Sequence, residues 1–360
     1  MNLDGLFAGG LAELHTHLGG SVASEILWSL AHEQGIALPT RDYWEFDRIV
    51  TVSDPRGVPD LDALDRIYHL TELIQSSPLA VERSVHSAIG GAYRSQGITT
   101  LELRFNPMKR NRGGERDLDH IIMAAIRGLD RASLEYPLVR VGLILMMDRT
   151  FDEKQNAIIV EKAIRYAPRG IVGVDIAGPR PRGERYSYRE LQPLVEEARN
   201  AGLGVTIHVG EEGEEHGDAE IGEVVEHLRP DRIGHGILAA REPELMAALR
   251  EAEIVLEICP TSNLLTRALP DEDAVRETFR AFVSRFEVGQ ISSTISVERS
   301  VSISSGSRAA RMPCPIRSGR SVSTTSPISS MPAWPPSSPT WIVTPSPASR
   351  ASSTSGCSSR

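Results

Sequence analysis

Two histidines stand as His15-Thr16-His17 at the end of a run that reads as a β-strand. Residues i and i+2 of a strand point to the same face, so imidazoles at this spacing can converge on one ion. A second strand-like run ends in His208-Val209-Gly210-Glu211. Its imidazole would complete a three-histidine face for zinc with a position left open to water. Glu211 would then lie close enough to exchange a proton beside that water. A third run ends in Arg232-Ile233-Gly234-His235-Gly236, whose glycines permit close backbone approach and unusual dihedrals. A fourth ends in Cys259-Pro260-Thr261-Ser262-Asn263, which reads as turn or cap chemistry, with Cys259 a small buried apolar group rather than a nucleophile. Taken singly, each has an ordinary rival: a polar loop, a solvated acid in the run EEGEE, a structural histidine, plain punctuation. The case rests on four strands ending in site-like residues, in an order that fits one mouth of a barrel.

The elements that must position these residues are seven β-rich runs: Ala12–Leu18, Ile98–Phe105, Val139–Met147, Ile171–Ala177, Gly204–Val209, Arg232–Gly236 and Ile254–Cys259. Runs such as VGLILMM are apolar on nearly every residue, as suits strands of a parallel sheet buried on both faces. Helical spacing recurs between them in Leu61, Leu64, Ile67, Leu70 and Ile74, in Leu118, Ile121, Ile122, Ala125 and Leu129, and in Leu191, Leu194 and Ala198. Gly202 then follows where a helix-ending glycine belongs. Repeated strand–helix alternation implies a parallel α/β architecture, and seven runs are one short of a closed (β/α)8 barrel.

From about Ser284 the periodicity fails and Ser, Arg and Pro take over. No Asp occurs after Asp273, no His after His235, and Glu298 is the last acidic residue. Such a segment buries too little apolar surface to offset its ordering entropy, which predicts disorder over 286–360. Because the break falls inside an element the fold needs, a shift of reading frame near Ser284 is the preferred explanation. The barrel domain is accordingly set at 1–285. The chain has 360 residues and a formal net charge of −9, which argues against binding to nucleic-acid backbones. No apolar run is long enough for a membrane span, no secretory signal is visible, and three scattered cysteines form no disulfide framework. A cytoplasmic location is expected; the oligomeric state is not legible.

The ordered set AELHTHLGGS, TTLELRFNP, IVGVDIAGP, TIHVGEEGE, RIGHGI and LEICPTSN, spanning roughly residues 11–265, resembles the adenosine deaminase family of the amidohydrolase superfamily. The resemblance implies a TIM-type (β/α)8 barrel holding one zinc ion per chain and a small purine nucleoside. It makes His15, His17 and His208 metal ligands, with His17 also beside the substrate. Glu211 would protonate purine N1, His235 would orient and help deprotonate the attacking water, and Gly178 would offer its backbone N–H to ring N3. The fourth strand ends in Asp175 to Gly178 rather than a lysine, which favours a single metal.

Two departures follow. The family usually places an acidic residue after H-x-H-L, near the ribose 5′-hydroxyl, whereas this chain has Gly19. That points to a substrate modified at the 5′ position, such as 6-amino-6-deoxyfutalosine or a thio-nucleoside. Arg104, Lys109, Arg110 and Arg112 are cations that either meet an anionic substituent or form a solvated face. An adenine deaminase would be expected to keep Glu at position 19, and an AMP deaminase to carry a long N-terminal extension. The second departure is at the eighth strand, where the family has a metal-binding Asp; here FEVGQISSTISVERS has none. The eighth strand is thus expected to be missing or replaced, with weak metal retention and little deamination in this chain. A catalytically dead nucleoside-binding protein is the main rival.

Overall fold

The computed structural model describes residues 11–52, 61–114, 117–179, 186–211, 217–265, 267–285 and 291–293. Eight strands follow one another in sequence order through a single sheet: β1 Leu11–His17, β2 Ile98–Phe105, β3 Arg140–Asp148, β4 Ile171–Ala177, β5 Gly204–Val209, β6 Arg232–His235, β7 Val255–Ile258 and β8 Ile291–Ser293. Each is parallel to the next. With helices in the crossovers, the sheet forms a nearly closed TIM-type barrel. The seven runs read from sequence coincide with β1 to β7 to within a residue at either end.

The eighth position holds a strand, and it is a short one. Leu256 pairs with Ile291, Glu257 with Ser292 and Ile258 with Ser293. Of the two expectations, omission or replacement, the fold shows replacement, by three residues that include no Asp. Among the described residues no ladder joins β8 back to β1. Glu287, Glu298 and the rest of the 286–360 tail lie outside the described residues.

Local chemistry explains the helices. Pro78–Gln96 starts where the Ser77 side chain accepts from the Ala80 N–H, has Pro at its first position, and stops at Gly97 with φ +69°. Glu153–Tyr166 opens with a reciprocal capping box between Asp152 and Gln155. Caps of this kind contribute about 1 kcal/mol each. Helices 78–96 and 119–135 touch at Gly128, where a Cβ would stand 2.5 Å from the Glu82 carbonyl oxygen. Tertiary burial does most of the work. Leu143, Ile144, Leu145 and Met147 of β3 are almost wholly buried, each worth roughly 1.5–3 kcal/mol. Beneath the mouth the barrel interior turns polar: Glu13, Arg104, Asp175 and Glu257 are all 0% exposed. That charged floor sets up the site.

Candidate active site

His15 and His17 project from the end of β1, His208 from β5 and His235 from the end of β6. One ring nitrogen from each of His15, His17 and His208 lies within 4.8 Å of the others, and His17 Nε2 is 3.0 Å from His208 Nε2. The sequence explains how the rings fit together. A Cβ at Gly234 would stand 2.8 Å from His15 Cε1 and 3.4 Å from His208 Cγ, so only glycine leaves room for both imidazoles. His235 itself adopts φ +67°, a left-handed conformation that costs about 1–3 kcal/mol for a side-chain-bearing residue.

Two buried carboxylates fix the rings. His15 Nδ1 is 2.7 Å from Glu257 Oε2, and His208 Nδ1 is 3.0 Å from Asp175 Oδ1. An ionised carboxylate only accepts, so each ring donates from Nδ1 and turns the lone pair of Nε2 toward the cluster. Against the desolvation that burial imposes, Arg104 and Arg232 hold Glu257 below the ordinary carboxylate range. Burial, with Arg104 second, pushes His15 and His208 well below the ordinary histidine range; burial and then His208 do the same for His17. Neutral imidazole is the metal-binding form.

These residues fit a zinc ion. Two nitrogens on one tetrahedral zinc stand about 3.3 Å apart, given bonds of roughly 2.0–2.1 Å. The 3.0 Å between His17 and His208 is close to that. With His208 Nδ1 given to Asp175, His208 Nε2 carries the lone pair and accepts from His17 Nε2–H in the absence of an ion. Each carboxylate–imidazole pair is the arrangement that orients metal ligands elsewhere.

Glu211 and His235 lie alongside. Glu211 Oε1 is 3.3 Å from His235 Nε2, and the Asn263 amide nitrogen donates to His235 Nδ1 at 3.1 Å. Burial lowers the His235 imidazole while Glu211 acts in the opposite sense. Gly178, at φ +95°, closes the end of β4; a Cβ there would meet Asp148 Oδ2 at 2.4 Å. Its carbonyl accepts from Arg149 Nε at 2.8 Å, and Tyr188 donates to the His208 carbonyl at 2.8 Å. Cys259 is buried, with its thiol 3.4 Å from the Glu257 carbonyl and its sulfur within 4.8 Å of one ring nitrogen each of His15 and His235.

At Gly19 a Cβ would meet Tyr68 Cδ1 at 3.3 Å, Arg110 Nη2 at 3.5 Å and Thr71 Oγ1 at 3.6 Å. The four cations considered for an anionic group separate cleanly. Arg104 is neither a surface charge nor a substrate contact: it is fully buried between Asp175 and Glu257, which is a correction to the sequence reading. Lys109 is 2.5 Å from Asp148, and Arg112 is exposed. Arg110 is 1% exposed, donates to Gln75 at 2.7 Å and has Glu72 at 3.7 Å, while its Nε has no partner.

Sequence reasoning missed the roles of Arg104, Asp175, Glu257, Asn263 and Arg149. A signal was present for three of them: a charged residue inside an otherwise apolar parallel strand, as in IVGVDIA, must be paired to be buried.

A parallel barrel thus carries four histidines and Glu211 together at the ends of β1, β5 and β6. A family model described as adenosine deaminase matches residues 10–285. The adenosine deaminase of Vibrio vulnificus is 30% identical over 257 residues, covering 71% of this chain and 74% of its own. The aminodeoxyfutalosine deaminase of Acidothermus cellulolyticus is 35% identical over 273 residues, covering 72% and 70%. The crystal structure of an adenine deaminase from Arthrobacter aurescens superposes with a TM-score of 0.67 at 22% identity, covering 81% and 83%. The chain belongs to the adenosine deaminase family. It is an aminohydrolase, and its relatives include adenosine and aminodeoxyfutalosine deaminases.

Proposed function

We propose that the barrel holds one zinc ion through His15, His17 and His208 and deaminates an adenine nucleoside hydrolytically, to the inosine-type product and ammonia. The observation that carries this is the convergence of three neutral imidazoles beside the Glu211–His235 pair. An ion held by His15, His17 and His208 would supply Lewis-acid activation of a water for attack at purine C6. Glu211 gives N1 its proton as the bond to C6 forms. His235, with its ring fixed at Nδ1 by Asn263, orients the attacking water from Nε2. Gly178 presents its N–H to ring N3, and Arg149 holds the turn by its carbonyl. The C6–N bond then breaks and ammonia leaves with the transferred proton.

The substrate is modified at the 5′ position. Gly19 brings neither charge nor bulk, and the buried guanidinium of Arg110 lies 3.5 Å from where its Cβ would be. The likeness to an aminodeoxyfutalosine deaminase supports this reading. An adenine deaminase is the weaker alternative, since Glu would be expected at position 19.

Residues 1–285 form the catalytic domain, placed in the cytoplasm, and the Ser/Arg/Pro-rich remainder is out of frame. Lacking the eighth-strand Asp, this chain retains metal weakly and turns over slowly. The rival is a nucleoside-binding protein without catalysis, favoured by that same missing acid. Ammonia release and zinc content measured on one sample decide between them. Turnover that rises with added zinc supports the enzyme; nucleoside binding with no turnover at saturating zinc supports the rival.

A further inference from the structure

Arg104 lies on β2, a strand that contributes none of the four site histidines, yet its guanidinium reaches both carboxylates that orient them. Nη1 is 3.0 Å from Asp175 Oδ2, whose other oxygen holds His208 Nδ1 at 3.0 Å. Nη2 is 3.0 Å from Glu257 Oε2, the oxygen that holds His15 Nδ1 at 2.7 Å. The same Nη2 donates to the Leu14 carbonyl at 2.5 Å, in the stretch between Glu13 and Thr16 where the β1–β2 register shifts. One planar group thus ties His15, Glu257, Asp175, His208 and the irregular part of β1 together. Arg104 and both of its carboxylate partners are 0% exposed.

Stability alone does not account for this arrangement. A buried ion network is commonly no better for stability than apolar residues of the same volume. Nor is this network completed for its own sake: Arg104 Nε and the neighbouring Glu13 Oε2 have no hydrogen-bond partner. Both terminal nitrogens of Arg104 are used, each on one of the two histidine-bearing carboxylates.

We propose that Arg104 is a positioning residue, which fixes the ring orientation of His15 and His208 for metal binding by holding both of their carboxylate partners in one rigid fork. Lysine keeps the charge but is a point donor, and cannot span two carboxylates in fixed directions. The proposal rests on the zinc reading above. Its test therefore compares zinc affinity, by competition with a chromophoric chelator, in wild type, Arg104→Lys and Arg232→Lys. Arg232 also pairs with Glu257, but through Oε1, and does not reach Asp175. It serves as the control for loss of a buried ion pair.

Arg104→Lys is expected to lose about ten- to hundredfold in zinc affinity, the usual cost of losing an outer partner of a metal ligand. Its cobalt(II) form should show a displaced d–d spectrum. Arg232→Lys should lower the melting temperature of the metal-free protein while changing zinc affinity by less than about threefold. An Arg104→Lys variant within that margin of wild type, or no weaker than Arg232→Lys, overturns the positioning role and leaves the zinc site standing. Wild type that binds no zinc overturns the zinc reading itself. If Arg104→Lys fails to fold, imidazole nitrogen resonances of the metal-free wild type still decide. Nδ1–H tautomers at both His15 and His208 uphold the arrangement, and an Nε2–H tautomer at either contradicts it.

Discussion

His17 and His208 meet nitrogen to nitrogen, Nε2 against Nε2 at 3.0 Å, across the mouth of the barrel from β1 to β5. Asp175 holds the far side of the His208 ring, so the meeting is directed rather than accidental. Several measurable consequences follow from what surrounds this contact.

Gly234 is the spacer that lets the rings come together. In Gly234→Ala the new methyl, 2.8 Å from His15 Cε1, displaces that ring. Zinc affinity should drop at least tenfold while the melting temperature changes by only a few degrees. Titration with zinc and a thermal melt of the metal-free protein measure both.

Gly19→Asp should restore the preference of the parent family. Its Cβ makes a tight 3.3 Å contact with the Tyr68 ring and brings a carboxylate to Arg110. The kcat/KM ratio of a 5′-carboxylated adenosine to plain adenosine is expected to fall at least tenfold. An unchanged ratio would dissociate position 19 from substrate choice.

The metal-free fold should weaken in acid. The imidazoles of His15, His17 and His208 are depressed in the folded state, so the unfolded chain binds more protons between the folded pKa and the ordinary value near 6.5. Stability is therefore complete above about pH 6.5 and lost as pH falls, at about 1.4 kcal/mol per pH unit for each depressed imidazole. Glu13, raised chiefly by burial, titrates in the opposite sense. For that reason the quantity to read is the difference in urea midpoint between wild type and His17→Asn at pH 7.5 and 5.5. The wild type should lose more on acidification.

Much of this architecture was legible, for physical reasons. Strands β3, β4 and β5 are largely apolar because both faces are buried, and a composition that strong survives without tertiary information. The histidines were legible because they fall where strands end. The network under them was not, because Arg104, although inside β2, groups in sequence with the cations Lys109, Arg110 and Arg112 that follow it, and only the closure of β2, β4 and β7 into one ring puts it between Asp175 and Glu257. Asn263 was read as punctuation; its contact with His235 depends on the short helix Pro260–Leu265 after β7 lying against the end of β6. The short β8 was hidden for a different reason. Ile291–Ser293 has no apolar run to announce it and is recruited by the exposed edge of β7.

The central claim is that three imidazoles gather one zinc ion. Its most direct test is calorimetric titration of the metal-free protein with zinc, alongside His17→Ala and His208→Ala. One equivalent bound by wild type, with affinity at least a hundredfold weaker in either variant, is the predicted result. Zinc binding that survives both substitutions, or is absent from wild type, would contradict it.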